Sequence, residues 1–223
     1  MDSKLFVQGI TRFAAGLLLM GIILFLPAGT FSYWQAWLLM GILFIPMFIA
    51  GLVMMMKSPD LLRKRLSVDE KQNEQKMVIM LSGLMFTAAF VAAGLSRRFG
   101  KFMLPSWVSW AATVVFLASY ILYAEVLREN AWLSRTVEVQ EGQKVVDTGL
   151  YGIVRHPMYM STVLLFLAMP LVLGSGIAFL LMLFYIPIIS KRIRNEEQVL
   201  EEGLEGYKEY KKRVRWKVIP YIW

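Results

Sequence analysis

Four long stretches without a charged residue constrain the fold of this chain more than any other feature of its sequence. They run over residues 13–56, 77–96, 102–124 and 157–190. A helix needs about 20 apolar residues to cross roughly 30 Å of hydrocarbon, and each stretch supplies one or two such lengths. Only 18% of the 223 residues are charged, whereas soluble domains average about 25%. The sequence therefore predicts an integral membrane protein.

The membrane segments should be helices, because backbone groups surrounded by lipid must be hydrogen-bonded within the protein. We place four spans at about residues 8–26, 33–56, 77–96 and 102–127. The last uncharged stretch is too long for one span and short for two. Gly174-Ser175-Gly176 lies inside it, which predicts a hairpin of two shorter helices.

The C-terminal segment changes character at Lys191. From there apolar residues recur at helical spacing with charges between them, which predicts an amphipathic helix, weakened near Gly203 and Gly206. This helix should lie along the membrane surface or fold back over the bundle. The predicted fold class is all-α: a polytopic transmembrane helical bundle of about six spans, the last two a short hairpin, with a cytoplasmic C-terminal amphipathic helix.

The distribution of basic residues predicts the orientation, because lysine and arginine collect in cytoplasmic loops. The N-terminus carries Lys4 and Arg12, the loop at 57–76 has six basic residues, and the tail from Lys191 has nine. Three basic residues between 97 and 101 oppose this orientation, but that loop is short. We expect a multi-pass protein with both termini in the cytoplasm.

Several functional classes are excluded by composition and missing motifs. The net charge of +8 is explained by loops facing anionic headgroups, so no nucleic-acid partner is expected. The chain has no cysteine, which excludes disulfides, thiolate metal sites and a cysteine nucleophile; we expect no metal. Nucleotide-binding, zinc-protease and hydrolase signatures are absent.

Two polar clusters are candidates for a site. The chain's one histidine, His156, stands between Arg155 and Pro157 and is flanked by Tyr151 and Tyr159. These residues either begin a membrane span, since proline favours the first helical turn, or line a polar pocket where helix N–H groups could bind an anion.

The second cluster begins directly after the last apolar span. Arg192 and Glu196 are four residues apart and share a helix face. They either form a weak surface ion pair or hold a ligand's carboxylate and ammonium groups. Glu125 is an acid near the end of the fourth span, but an interfacial position explains it and we leave it out of the site.

Taken together, these clusters resemble the isoprenylcysteine carboxyl methyltransferase family, within a wider group that includes phospholipid N-methyltransferases. The resemblance rests on Gly149-Leu-Tyr-Gly-Ile-Val-Arg-His-Pro-Met-Tyr159, a helical hairpin, Arg192-Ile-Arg-Asn-Glu-Glu197 and Tyr207-Lys-Glu-Tyr210. It is strongest from about Glu138 to Pro220. One departure is Ser161, where members commonly carry glycine.

The resemblance implies a membrane enzyme that uses S-adenosyl-L-methionine and acts on a lipophilic or lipid-anchored acceptor. It implies one membrane domain over 1–223, with a four-helix body at 1–127 and a cofactor-binding and catalytic portion at 128–223. Arg192 would bind the acceptor's carboxylate. The implied cofactor contacts are Gln140, Gln143, Lys144, Val145, Val146, Tyr151, His156, Pro157, Met158, Tyr159 and Glu196.

Three alternatives stay open. Membrane sterol reductases that use NADPH have a similar Arg-His-Pro-x-Tyr string, and such an enzyme would need extra basic residues for the 2′-phosphate. A phospholipid amine N-methyltransferase would share the cofactor but not the acceptor. A non-enzymatic membrane carrier would be favoured if Arg192 and Glu196 formed only an ion pair.

Overall fold

The structure of this protein is a computed structural model that describes residues 3–66, 73–133 and 137–223. The helices are α1 (Ser3–Ala28), α2 (Trp34–Lys57), α3 (Pro59–Leu66), α4 (Asn73–Phe99), α5 (Ser106–Glu129), α6 (Pro157–Val172), α7 (Gly176–Met182), α8 (Tyr185–Gly203) and α9 (Tyr207–Arg213). A short 3₁₀ turn covers Gly149–Gly152. Within the described ranges the only strand-like pairing is an isolated bridge between Met103 and Ser175. The all-α prediction is confirmed.

Within the residues that the structure describes, five helical segments are long and apolar enough to cross a membrane. They are Leu5–Ala28, Trp34–Lys57, Lys76–Phe99, Ser106–Glu129 and Gly176–Gly203, and α6 is a shorter apolar helix of 16 residues. The multi-pass membrane fold is therefore confirmed, with five membrane-length segments and one shorter helix where about six spans were predicted. In the last segment, α8 continues from apolar residues into the polar sequence after Lys191. The end of the last apolar stretch and the start of the polar tail therefore belong to one helix.

The predicted spans all appear, with shifted ends. The predicted loop at 57–76 holds an additional helix, α3, while residues 67–72 of that loop lie outside the described ranges. The fourth span begins at Ser106, after Pro105, rather than near residue 102. Proline restricts the residue before it to extended conformations, which explains why the helix starts later.

The chain divides into two compact units, and the first comprises Met1–Val68, Leu84–Val114 and Leu167–Leu183. Its interior includes polar contacts: the buried Tyr33 hydroxyl donates to the Leu173 carbonyl at 2.7 Å, and the Ser175 hydroxyl donates to Ser96 at 3.0 Å. Gly94 lets two helices approach closely, because a Cβ there would lie 2.8 Å from the Leu24 carbonyl oxygen.

The turn after α6 lies in this first unit. Gly174 has φ +68, a left-handed conformation that glycine adopts without steric cost. Ser175 then caps α7 by accepting a hydrogen bond from the Ala178 N–H at 3.3 Å. The predicted break at Gly174-Ser175-Gly176 is therefore present.

The second unit comprises Asp69–Gly83, Val115–Phe166 and Phe184–Trp223. Its tail is broken where Gly206 takes φ +82, so the predicted amphipathic helix is two helices, α8 and α9. A buried cluster fills the bend; its members are Leu204, Tyr207, Tyr210 and Val214, packed against Val139, Val145 and Leu200. The apolar side of the tail thus folds back onto a loop of its own unit.

Candidate functional site

The second unit contains an open cavity with an empty volume of about 830 Å³, including its mouth. Ten residues that the sequence placed in the site line it: Gln143, Lys144, Val145, Val146, Tyr151, His156, Met158, Tyr159, Arg192 and Glu196. The structure therefore brings both polar clusters to one cavity.

Two predicted site residues are not among those lining the cavity. The Gln140 side chain donates to the Trp132 carbonyl, and its backbone N–H donates to the Gln143 side-chain oxygen at 2.9 Å. Gln140 therefore shapes the loop whose neighbouring residues line the cavity. Pro157 is the first residue of α6, where its missing N–H costs no hydrogen bond.

The sequence reasoning missed other residues that line the cavity. They are Asn130, Trp132, Leu133, Val137, Glu138, Val199, Leu200, Leu204, Tyr207 and Tyr210. Arg155, which the sequence analysis named as a possible pocket residue, also lines the cavity. Asn130 and Trp132 follow closely after α5 and belong to no recognised motif. Tyr207 and Tyr210 stand in one of the strings that carry the resemblance, but the resemblance implied no cofactor contact for either residue.

The 3₁₀ turn at the start of the motif is held by a carboxylate from α5. Both oxygens of Glu129 accept the Leu150 N–H, at 3.2 and 3.0 Å. Gly149 has φ +53, and a Cβ there would lie 1.7 Å from a Glu129 oxygen. The backbone conformation therefore favours glycine at this position of the motif, and a side chain there would displace the Glu129 carboxylate from the Leu150 N–H.

Tyr151 is fixed at both its backbone and its side chain. Its carbonyl accepts the Tyr210 hydroxyl at 2.8 Å, and its own hydroxyl accepts the Asn130 amide at 2.8 Å. These bonds join the 3₁₀ turn, the end of α5 and α9 around the cavity. They fix the orientation of the Tyr151 ring in the cavity wall.

The C-terminal tail binds the Arg155–His156 segment along its backbone. The Arg155 N–H donates to the Trp216 carbonyl at 2.9 Å, and the His156 N–H donates to the Lys217 carbonyl at 2.8 Å. The Arg155 guanidinium also donates to the Val214 and Arg215 carbonyls, at 2.7 and 2.8 Å. These two backbone N–H groups, which precede the first residue of α6, are therefore used by the tail.

Glu197 is the charged centre of this arrangement. Its side chain is only 5% exposed, and one of its oxygens lies 2.8 Å from Arg155 Nε and 3.2 Å from His156 Nε2. Its other oxygen lies 3.5 Å from the ammonium groups of both Lys211 and Lys217. A buried carboxylate with several cationic partners holds the motif loop, α8 and the tail together. Glu197 stands at the end of the Arg192–Glu197 motif, but the sequence did not predict that it binds Arg155 and His156.

Tyr159 connects the two halves of the predicted site. Its hydroxyl accepts a hydrogen bond from Arg192 Nε at 2.9 Å and donates a short one to Glu196. The tyrosine lies on the first turn of α6, and both charged residues lie on α8. One phenol thus places a guanidinium and a carboxylate side by side at the cavity wall.

Tyr207 supplies an unsatisfied polar atom to the same cavity. The residue is 4% exposed, and its hydroxyl has no hydrogen-bond partner among the described residues. Burial raises the pKa of Tyr207, and also that of Tyr210, above the usual tyrosine value. Both phenols therefore stay protonated at physiological pH, and an unpartnered buried hydroxyl favours a ligand that would satisfy it.

The lining combines opposite charges with phenols and apolar side chains. Glu138 and Glu196 are its carboxylates, and Lys144, Arg155 and Arg192 are its cations. Such a surface can bind a zwitterionic ligand that also carries an aromatic group. In the described part of the chain, no group of three or more metal-binding side chains is present.

Comparison with known proteins gives a family for the segment that contains most of this site. Residues 110–202 match the isoprenylcysteine carboxyl methyltransferase (ICMT) family. That range includes α6, α8 up to residue 202, and every predicted site residue.

Curated relatives of the chain include sterol reductases. The mouse Delta(14)-sterol reductase TM7SF2 is 31% identical over 93 residues, which is 40% of this chain and 22% of the reductase. The Delta(14)-sterol reductase of Methylotuvimicrobium alcaliphilum is 24% identical over 135 residues, which is 54% of this chain and 32% of the reductase. The chain thus spans a third or less of these relatives.

A solved structure shares the fold over almost the whole chain. It is that of the eukaryotic intramembrane Ras methyltransferase ICMT, with a TM-score of 0.60 and 18% identity over 96% of this chain and 77% of that one. At this identity the likeness establishes the fold alone. The family model thus matches residues 110–202, and the fold of this methyltransferase is shared over almost the whole chain.

Proposed function

We propose that the protein transfers a methyl group from S-adenosyl-L-methionine to the carboxylate of a lipidic acceptor, in the manner of an α-carboxyl on a prenylated cysteine. The observation that carries this proposal is the arrangement of Tyr159, Arg192 and Glu196 in one cavity within the family-matched segment. Residues 128–223 would form the cofactor-binding and catalytic portion, attached to a membrane body at 1–127.

The cavity lining fits this cofactor on three counts. Glu196 offers a carboxylate for the ammonium of its amino acid portion, and Lys144 offers a cation for its carboxylate. Tyrosine faces favour cations, and Tyr151 and Tyr159 both line the cavity. The unpartnered Tyr207 hydroxyl offers a donor or acceptor to a polar group of the cofactor. When bound, the cofactor supplies an electrophilic methyl group on a sulfonium.

The acceptor is best matched by a carboxylate. Its ionised oxygen needs no general base at neutral pH, only positioning and removal of water. Arg192 would hold this carboxylate, since a guanidinium binds carboxylates with directed hydrogen bonds. Tyr159 fixes Arg192 through its Nε, so the guanidinium is oriented before the acceptor arrives. In this arrangement Arg192 positions the acceptor and the chain itself transfers no proton.

The membrane fold suits a lipophilic acceptor and a water-soluble cofactor. The acceptor would enter from the bilayer, and the cofactor would enter the cavity from the cytoplasm. The count of basic residues supports a cytoplasmic location for both termini and for the site.

A second candidate function has one observation in its favour: the curated relatives named above are sterol reductases. An NADPH-dependent lipid reductase would need several cations for the 2′-phosphate of its cofactor. Among the described lining residues, Arg155 is already engaged by Glu197, which leaves Lys144 and Arg192 as the cations available to that phosphate. The lining therefore supports the methyltransferase proposal better.

The cofactor is tested by thermal unfolding of the detergent-purified protein with S-adenosylhomocysteine and, separately, with NADPH. We expect a higher Tm with S-adenosylhomocysteine, because a ligand that binds only the folded state stabilises it. We expect Glu196→Ala to remove this shift and the exposed Glu205→Ala to leave it intact. A Tm increase with NADPH alone would contradict the methyltransferase proposal.

The acceptor is tested by transfer of a radiolabelled methyl group. The substrates are a farnesylated cysteine with a free carboxylate, the same compound with that carboxylate amidated, and phosphatidylethanolamine. We expect label only on the free carboxylate. Label on phosphatidylethanolamine would instead assign amine N-methylation while leaving the cofactor assignment intact.

A further inference from the structure

A second cavity lies in the first unit, apart from the proposed active site. It is a groove with an empty volume of about 850 Å³, including its open side, and its walls come from α1, α2 and α3. Phe13 and Phe48 form part of the wall, with ring centroids 5.2 Å apart. Among the described residues that line the groove, all but Arg12 are apolar or glycine. The groove therefore fits a hydrocarbon chain.

The groove is open because α2 carries a glycine there. A Cβ built on Gly51 would have no heavy atom of the described part of the chain within 4 Å. The neighbouring wall residues Met47, Phe48 and Leu52 are 41%, 38% and 37% exposed, and they belong to a helix that is long and apolar enough to span a membrane. The space is thus accessible from the side that faces lipid.

Arg12 gives the groove a charged end. It lies on α1, is exposed, and donates a hydrogen bond to the carbonyl of Leu66, the last residue of α3. Arginine has five N–H donors, so this bond leaves capacity for a further acceptor. Lys57, at the end of α2, is also exposed and follows two residues after Met55 of the groove wall. An apolar channel ending at cations complements a molecule with an acyl chain and an anionic headgroup.

We propose that this groove binds one anionic phospholipid, with an acyl chain along Phe13, Phe48 and Gly51 and its headgroup phosphate at Arg12. The site is independent of the proposed active site, since all its residues lie between positions 9 and 66. A lipid bound there would hold α3 and the ends of α1 and α2 at the cytoplasmic leaflet, which is rich in anionic lipid. We choose this leaflet because the N-terminus is predicted to be cytoplasmic.

Native mass spectrometry of the full chain in detergent tests this proposal with dioleoyl phosphatidylglycerol and dioleoyl phosphatidylcholine at equal concentration. We expect one retained phosphatidylglycerol per chain, favoured over phosphatidylcholine about fivefold, because each basic residue near an anionic lipid contributes on the order of 1 kcal/mol. Equal retention of the two lipids would overturn the proposal. Complete displacement of phosphatidylglycerol by added oleate would also overturn it.

Two variants on α2 locate the site. Gly51→Leu fills the groove, and we expect it to abolish the preference for phosphatidylglycerol. Gly41→Leu is its matched control, because a Cβ on Gly41 also meets nothing within 4 Å, in the same helix but outside the groove. We expect it to retain the preference. If Gly51→Leu retains the preference, the lipid binds elsewhere and the proposal is wrong.

The charged end is tested at Arg12. We expect Arg12→Gln to reduce the preference to the level of phosphatidylcholine and Arg12→Lys to restore most of it. A preference unchanged in Arg12→Gln would refute the assigned headgroup contact.

Discussion

Replacing Glu197 by glutamine should destabilise the second unit more than any comparable change on α8. The side chains of Glu197 and Arg155 are 5% and 4% exposed, so their charges are shielded from water. Removing one partner of a buried ion pair typically costs roughly 3–5 kcal/mol, because the other charge stays buried without compensation. Lys211 and Lys217 also lie 3.5 Å from this carboxylate, which leaves several cations close together once its charge is gone.

The assay is thermal unfolding of the purified protein in detergent, with Glu201→Gln as the matched control. Glu201 is on the same helix and pairs with Lys211, but the two side chains are 32% and 37% exposed, so this pair contributes at most about 1 kcal/mol. We expect Glu197→Gln to lower Tm by roughly 6–20 °C and the control to lower it by a few degrees at most.

A double variant separates the ion pair from other effects of the substitution. Arg155→Gln alone should also be destabilising, because it leaves Glu197 with fewer partners. Glu197→Gln combined with Arg155→Gln should cost clearly less than the two single changes added together. Strict additivity, or equal losses in Glu197→Gln and Glu201→Gln, would refute the view that Glu197 is the charged centre of the fold.

Three further substitutions test the site and its support. We expect Tyr207→Phe to weaken S-adenosylhomocysteine binding by about 2–10-fold without lowering the Tm of the free protein; unchanged affinity in a calorimetric titration would show that the hydroxyl contacts no ligand. Gly149→Ala should lower Tm more than Gly100→Ala, because both glycines have positive φ while only the first Cβ would collide with a carboxylate; equal losses would remove the role assigned to that contact. Arg192→Gln should raise KM for the prenylated cysteine about 10–100-fold, and the exposed Arg194→Gln should leave it nearly unchanged; a change confined to kcat would contradict carboxylate binding.

The membrane fold was predictable because its signal is long and simple. An apolar run of about 20 residues has one structural solution in lipid, so all four early spans were found. Their ends were not, since polar residues near an interface continue a helix as easily as they end it. The eight-residue α3 was missed because it is polar and too short to give a membrane signal.

The site was predictable where its residues stand close together in sequence. The motif before α6 and the charged start of the tail were both identified, and the structure brings them to one cavity. Glu196 and Glu197 are adjacent, however, and neighbouring helix positions face different directions. The sequence could not show that one meets Tyr159 while the other meets Arg155.

Other contacts needed the fold itself. Glu129 holds the 3₁₀ turn from 21 residues away in sequence, and Tyr210 reaches Tyr151 across 59 residues. No local pattern indicates such pairs, because they depend on where the tail folds back. Gly206 has a left-handed backbone conformation and separates α8 from α9. The sequence predicted only that the amphipathic helix would be weakened near this residue.

The shortness of α6 has a consequence for the surrounding bilayer. Its 16 residues span only about 24 Å at 1.5 Å per residue, less than the roughly 30 Å of an average hydrocarbon core. Neither end is free to extend: His156 is bonded to the tail before it, and the Leu173 carbonyl is bonded to Tyr33 after it. The resulting hydrophobic mismatch should thin the bilayer locally, so that the acyl-chain length of the surrounding lipid acts on the helix that begins directly after His156.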